Sequence, residues 1–209
     1  MVLELLIMLN EYEDTAPFRI EWDSSAIRAL LQLDRTTLQH SLRTYKLAVI
    51  LGKKLRLSST ELILLGQGAL FHDIGKTKIP LTILNKQNPL TSEEWAILQT
   101  HPQRGKECLE PFAMDETIQR IVLRHHVWFN GEGGYPLDKD KAKPCPLTQI
   151  VMVADVIDAM TSDRSYRRAH TIADTQQYME ARAGSWFNSE VVAVFGNLVS
   201  KIQKEESYR

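Results

Sequence analysis

Apolar residues recur at helical spacing along nearly the whole chain. Over Ala26–Leu57 they form two faces, with Ile27, Leu31, Leu38, Leu42, Tyr45 and Val49 on one and Leu33, Leu47 and Leu51 on the other. Arg35, Gln39, Arg43, Lys46 and Lys53 mark the narrow polar stripe between them, and His40 falls on the second apolar face. A helix apolar on two sides belongs at the centre of a bundle. Glu61–Asp73 reads as a second apolar helix, ended by Gly75 and then Pro80. Thr91 and Glu94 have capping-box spacing, so a helix starts there and runs to about His101, where Pro102 constrains the chain. Asp115–Trp128 follows, with Ile118, Ile121, Val122 and His125 on one stripe.

Asn130–Pro146 is rich in glycine, proline and charge and predicts a loop. Leu147–Met160 is a nearly continuous apolar helix interrupted by Asp155 and Asp158, and Thr171–Ala183 and Glu190–Glu205 complete a helical C-terminus. No segment alternates as a strand does, and no repeat is visible. The predicted fold class is all-α, a single helical bundle, with residues 1–25 as an N-terminal helical extension of a domain over 26–206.

The 209 residues suffice for one real core. Lys and Arg total 25 against 26 for Asp and Glu, a balance that argues against a polymeric nucleic acid as partner. A small anionic ligand in a local cationic pocket stays open. The two cysteines, Cys108 and Cys145, form no CxxC pair, so a reducing cytosol is the simplest compartment. Met1–Leu9 is apolar except for Glu4. It lacks a cationic leader and falls far short of the ~20 apolar residues of a membrane span. It is expected to pack on the domain or on a second copy, giving a homodimer.

Candidate chemistry lies in the histidines. Of six, five sit on or beside apolar helical faces, and two of these have an immediate polar neighbour, in His72-Asp73 and His125-His126. One buried histidine is ordinarily a satisfied core residue. Five of them with two carboxylates, among few cations, are harder to accommodate, because buried polar groups are costly without partners. A pair of metal ions satisfies all seven side chains at once. Histidine with aspartate suits Fe, Mn, Zn or Co better than Mg or Ca. Lys76 follows His72-Asp73 by one turn, where an ammonium can neutralise charge developing on phosphorus.

Assembled in order, these runs resemble the HD-GYP domain, a branch of the HD phosphohydrolases. They are His40-Ser-Leu-Arg, His72-Asp73-Ile-Gly-Lys76, Leu90-Thr91-Ser-Glu-Glu-Trp95, His101-Pro102-Gln-Arg-Gly105, His125-His126, Gly134-Tyr135-Pro136 and Asp155-Val-Ile-Asp158 through Arg164-Ser-Tyr166-Arg167. The resemblance implies a metal-dependent phosphodiesterase that hydrolyses cyclic di-GMP to linear pGpG, GMP or both. It implies two divalent ions, iron or manganese, held by His40, His72, Asp73, His101, His125, His126 and Asp155. It further implies Lys76 and Asp73 as catalytic residues, and Tyr135, Arg164 and Arg167 as substrate contacts. The partner it implies, beside the cyclic dinucleotide, is a diguanylate cyclase-type or other signalling protein.

Four departures from the family pattern matter. Trinuclear members carry Glu one turn before the first histidine, where this chain has Thr36, so two metals are expected and not three. The family's HHExxDGxGYP becomes His125-His126-Val127-Trp128-Phe129-Asn130-Gly131-Glu132-Gly133-Gly134-Tyr135-Pro136, with Val127 for Glu, Asn130 for Asp and one added residue. These changes leave two other readings open: the same chemistry on another cyclic dinucleotide or nucleotide, and a catalytically idle binding or interaction module.

Overall fold

The computed structural model describes residues 24–137, 142–163 and 168–207, with side chains to residue 200. The expectations for Met1–Leu9, Arg164 and Arg167 fall outside the described residues.

Ten α-helices are formed among the described residues. They are α1 (Ser24–Leu30), α2 (Arg35–Lys54), α3 (Ser59–Phe71), α4 (Leu81–Leu84), α5 (Ser92–Leu98), α6 (His101–Leu109), α7 (Glu116–Arg124), α8 (Pro146–Thr161), α9 (Ile172–Glu180) and α10 (Ser189–Ser207). Short 3-10 turns cover Ile74–Lys78 and Glu110–Phe112. Among the described residues, pairing of the strand type is confined to two isolated bridges, Val127 with Gly134 and Ala183 with Phe187.

The bundle is organised around α2, which packs on both α3 and α8 as a helix with two apolar faces must. α3 also packs on α7 and α8, and α6 packs on α7 and on the 3-10 turn after α3. α8 is buried all round: every residue from Leu147 to Asp155 is inaccessible, together with Ile157 and Asp158. Two carboxylates on such a helix need compensation from neighbouring elements.

Three boundaries differ from expectation, the first being that α7 stops at Arg124 and does not run on to Trp128, because the His125 ring takes up the Val122 carbonyl in its last turn. The segment Ala26–Leu57 is not one helix. Asp34, in an extended conformation, accepts hydrogen bonds from the amides of Thr36 and Thr37 and starts α2 afresh after the turn that ends α1. Pro102 does not close a helix but lies in the first turn of α6, where its missing N–H is not needed. The Thr91–Glu94 capping box forms as expected, and Ser58 with Glu61 forms a second one at the start of α3.

One close approach holds the site's scaffold together. A Cβ on Gly75 would lie 1.9 Å from the His101 carbonyl oxygen and 2.5 Å from the Gly105 nitrogen. The turn after α3 therefore rests directly on α6, backbone against backbone. Gly75→Ala is expected to lower stability by about 3 kcal/mol, since neither backbone can yield. Thermal unfolding reads this. Gly196→Ala is the control, because its new Cβ meets only the flexible ends of the Gln176 side chain, at 3.2 Å, and the Glu180 side chain, at 3.7 Å, and should leave the midpoint nearly unchanged.

Candidate metal centre

Three of the histidines stand at helix ends. His72 follows α3 and its Nδ1–H donates to the Ala69 carbonyl at 2.7 Å. His101 follows α5 and donates to Leu98 at 2.8 Å. His125 follows α7 and donates to Val122 at 2.8 Å. Each carbonyl lies in the last turn of its helix, where the regular partner is lacking. For Leu98 the reason is local: four residues on stands Pro102, which has no N–H.

A carbonyl can only accept, so Nδ1 carries the proton in all three rings and Nε2 of the neutral ring carries a lone pair. Those lone pairs converge. The Nε2 atoms of His101 and His125 are 3.3 Å apart, as are those of His72 and His40. His40 comes from α2, and its Nδ1 lies 2.6 Å from Asp158 Oδ2 on α8.

Two groups of donors result. The potential ligand atoms of His40, His72 and Asp73 all lie within 4.8 Å of one another, and so do those of His101, His125 and His126. Asp73 faces both groups. Its Oδ2 is 3.3 Å from His72 Nε2 and its Oδ1 is 3.3 Å from His101 Nε2. Asp155 reaches the first group with Oδ1, 3.0 Å from His40 Nε2, and approaches the second with Oδ2, 4.0 Å from His126 Nδ1. The structure therefore brings together all seven side chains singled out in the sequence.

The electrostatics follow from burial and proximity. Burial drives the imidazolium of His101 down to about 3 and that of His126 to about 4, despite the carboxylates beside them. His125 is also held well below the ordinary value, by burial and then by the charges of neighbouring histidines. His40 goes the other way. Burial opposes its charge, but hydrogen bonds to Asp155 and Asp158 prevail and raise it to about 9. Burial alone would favour protonated Asp73 and Asp155. Lys76 and the histidines hold Asp73 well below the carboxylate range, and His40 does so first for Asp155.

The donor set fits metal ions. Asp73 is essentially inaccessible, yet its Oδ1 has no hydrogen-bond donor among the described residues. The neighbouring His101 Nε2 brings a second lone pair where a donor would be required. Neutral imidazoles and carboxylates with no thiolate suit a divalent transition ion.

Around this centre, Lys76 Nζ donates to Asp73 Oδ2 at 2.6 Å. The Tyr135 ring packs 4.6 Å from the His126 ring, and burial, with Asp73 and Asp155 adding to it, pushes the phenol's pKa upward. The altered loop has its own anchoring. Val127 is fully buried, and Asn130 closes a small turn with Glu132. Trp128 stacks on Trp186 at 4.4 Å, and the Phe129 and Asn130 amides donate to the Trp186 and Ser185 carbonyls. Gly133 in this loop has a steric role. A Cβ on Gly133 would lie 2.2 Å from the Trp128 ring.

Sequence reasoning assigned no role to Asp158 or Arg43. Asp158 takes the His40 Nδ1–H and also accepts from Arg43 Nε at 2.5 Å and Nη2 at 3.0 Å. The signal was spacing: Asp158 is three residues after Asp155, and Arg43 three after His40, so each pair shares a helix face.

The sequence pattern of the HD domain family matches residues 22–191. The chain belongs to the HD domain family. Among its relatives is the cyclic di-GMP phosphodiesterase response regulator RpfG of Xanthomonas campestris pv. campestris, 34% identical over 192 residues, covering 90% of this chain and 49% of that protein. A cyclic di-GMP phosphodiesterase of Thermotoga maritima is 31% identical over 205 residues, covering 96% and 50%. The 3'3'-cGAMP-specific phosphodiesterase 3 of Vibrio cholerae is 28% identical over 169 residues, covering 81% and 36%. This HD domain chain spans half or less of the length of these relatives.

In fold it is similar to Bd1817, a HDG"Y"P protein from Bdellovibrio bacteriovorus, with a TM-score of 0.63 at 20% identity over 85% of this chain and 58% of the other. It is also similar to the HD domain of Listeria monocytogenes PgpH, with a TM-score of 0.59 at 19% identity over 86% and 97%. The HD-GYP resemblance and the all-α bundle are thus borne out. No helix among the described residues is long and apolar enough to cross a membrane.

Two outcomes are expected of this HD domain's centre. Because His40 titrates near 9, it is protonated in the metal-free protein at neutral pH. Metal uptake must expel that proton, so affinity should climb with pH until about 9. Calorimetry in buffers of different ionisation enthalpy measures the release. Asp158→Ala frees the His40 ring and should weaken divalent-metal affinity by about 10- to 100-fold with the helical circular dichroism retained.

Proposed function

We propose that the chain is a metal-dependent cyclic dinucleotide phosphodiesterase that hydrolyses cyclic di-GMP to linear pGpG, GMP or both through a binuclear centre. The observation that carries this reading is the pair of clusters of potential ligand atoms sharing the buried Asp73. His40, His72 and Asp155 would hold one ion, His101, His125 and His126 the other, and Asp73 would serve both through its two oxygens. Iron or manganese suits this histidine-rich set. Thr36 is exposed on the first turn of α2, which agrees with two ions rather than three.

When bound, the metals supply Lewis acidity and a water acidic enough to attack phosphorus at neutral pH. The protein does the rest. The carbonyl-bound Nδ1 atoms keep each Nε2 unprotonated and aimed inward. Asp158 fixes the His40 ring through Nδ1, so the proton that metal uptake must displace is the one on Nε2. Lys76, held against Asp73, brings a fixed positive charge beside the place where charge grows on the phosphoryl oxygens. Arg164 and Arg167 are proposed to grip phosphate or guanine through bidentate hydrogen bonds. Tyr135 is proposed to line the substrate's place, and a signalling protein such as a diguanylate cyclase to be the partner of the whole.

A second reading, a mixed cyclic dinucleotide as substrate, draws support from the altered Val127–Gly134 loop and from the relatives named as specific for 3'3'-cGAMP. The test is anaerobic loading with Fe(II) or Mn(II), metal analysis, and chromatography of products from cyclic di-GMP and 3'3'-cGAMP. Turnover of cyclic di-GMP is expected, and Asp73→Ala should lose metal and activity together. Turnover of 3'3'-cGAMP alone would establish the second reading. Tight binding without product in metal-replete protein would favour an interaction module.

A further inference from the structure

Helix α5 is unusual in that none of its seven residues is fully buried. It is held at its ends instead. The Thr91–Glu94 capping box fixes its start, Lys86 Nζ pairs with Glu94 at 2.5 Å, and the His101 ring caps the Leu98 carbonyl. A helix fixed in place without contributing to the core is positioned for what it displays. It displays Trp95, a residue 46% exposed, an uncommon state for so large an apolar side chain.

The setting of that indole is specific. Its ring and that of Tyr135 are inclined at 75°, with centroids 6.2 Å apart. Tyr135 in turn packs 4.6 Å from His126 and 6.1 Å from His101. The aromatic series thus runs outward from the candidate metal centre, through Tyr135, to a Trp95 that is about half exposed. A phosphodiester bound at the centre extends its nucleoside away from the ions, and a nucleobase is a flat π-surface seeking such a partner.

We propose that Trp95 is the platform on which a purine base of the nucleotide substrate stacks, making it a substrate-binding residue. The proposal deepens the phosphodiesterase reading and rests on it for the position of the phosphate. Stacking is made equally in ground and transition states, so it acts on KM more than on kcat.

The experiment compares the metal-loaded protein with Trp95→Ala and Trp95→Phe. Steady-state kinetics on cyclic di-GMP should show KM raised by about 5- to 100-fold in Trp95→Ala, with kcat within about threefold, and largely restored in Trp95→Phe. Unchanged KM in Trp95→Ala, or loss confined to kcat, would overturn the stacking while leaving the phosphodiesterase reading intact. If the wild-type protein turns over no cyclic di-GMP with either metal, that reading fails for this substrate, and tryptophan fluorescence titrated with cyclic di-GMP decides the stacking separately. Quenching that disappears in Trp95→Ala upholds it; the absence of Trp95-dependent quenching overturns it.

Discussion

A carboxylate shut away from water is the constraint around which this molecule is arranged. Asp73 is 1% exposed and ionised, and desolvation opposes that state more strongly than any single neighbour favours it. Lys76 sets a positive charge against one of its oxygens, and the Nε2 atoms of His72 and His101 stand 3.3 Å from the two oxygens, on elements α3, α6 and the turn between them. The Gly75 contact with α6 and the inward turn of three helix ends serve the same end, since they bring those partners close enough. Breaking up this group would leave an uncompensated charge in the core.

The seven polar side chains were legible in the sequence because each contradicts its surroundings. Asp155 in an unbroken apolar run, or His40 on an apolar face of α2, violates the hydrophobic pattern that builds the bundle, and such violations mark function. The bundle itself was legible from period alone. The Asp34 boundary was missed because the apolar period runs across it unbroken, and only the extended backbone of the cap separates α1 from α2. Pro102 was misread because proline stops one helix and starts another with equal ease. The clamp of Trp128 on Trp186 had no local signal, as the two rings come from distant segments.

That clamp also explains how the chain tolerates a loop unlike that of the family it resembles. Val127 turns into the core, Gly133 yields its volume to the Trp128 ring, and Arg182 lies over both Tyr178 and Trp186. The altered stretch is thus tied to the connection between α9 and α10 on one side, and through Tyr135 to the histidine pair on the other.

The placement of three imidazoles at helix termini has a dynamic consequence. Termini are where helices fray, opening and closing far more readily than their middles. In α3, α5 and α7 the final carbonyls are tethered to His72, His101 and His125, so an unwound last turn also releases an imidazole from the centre. Whatever restrains those rings restrains the turns behind them. Hydrogen exchange at the ends of these three helices is therefore a built-in gauge of how firmly the centre is held.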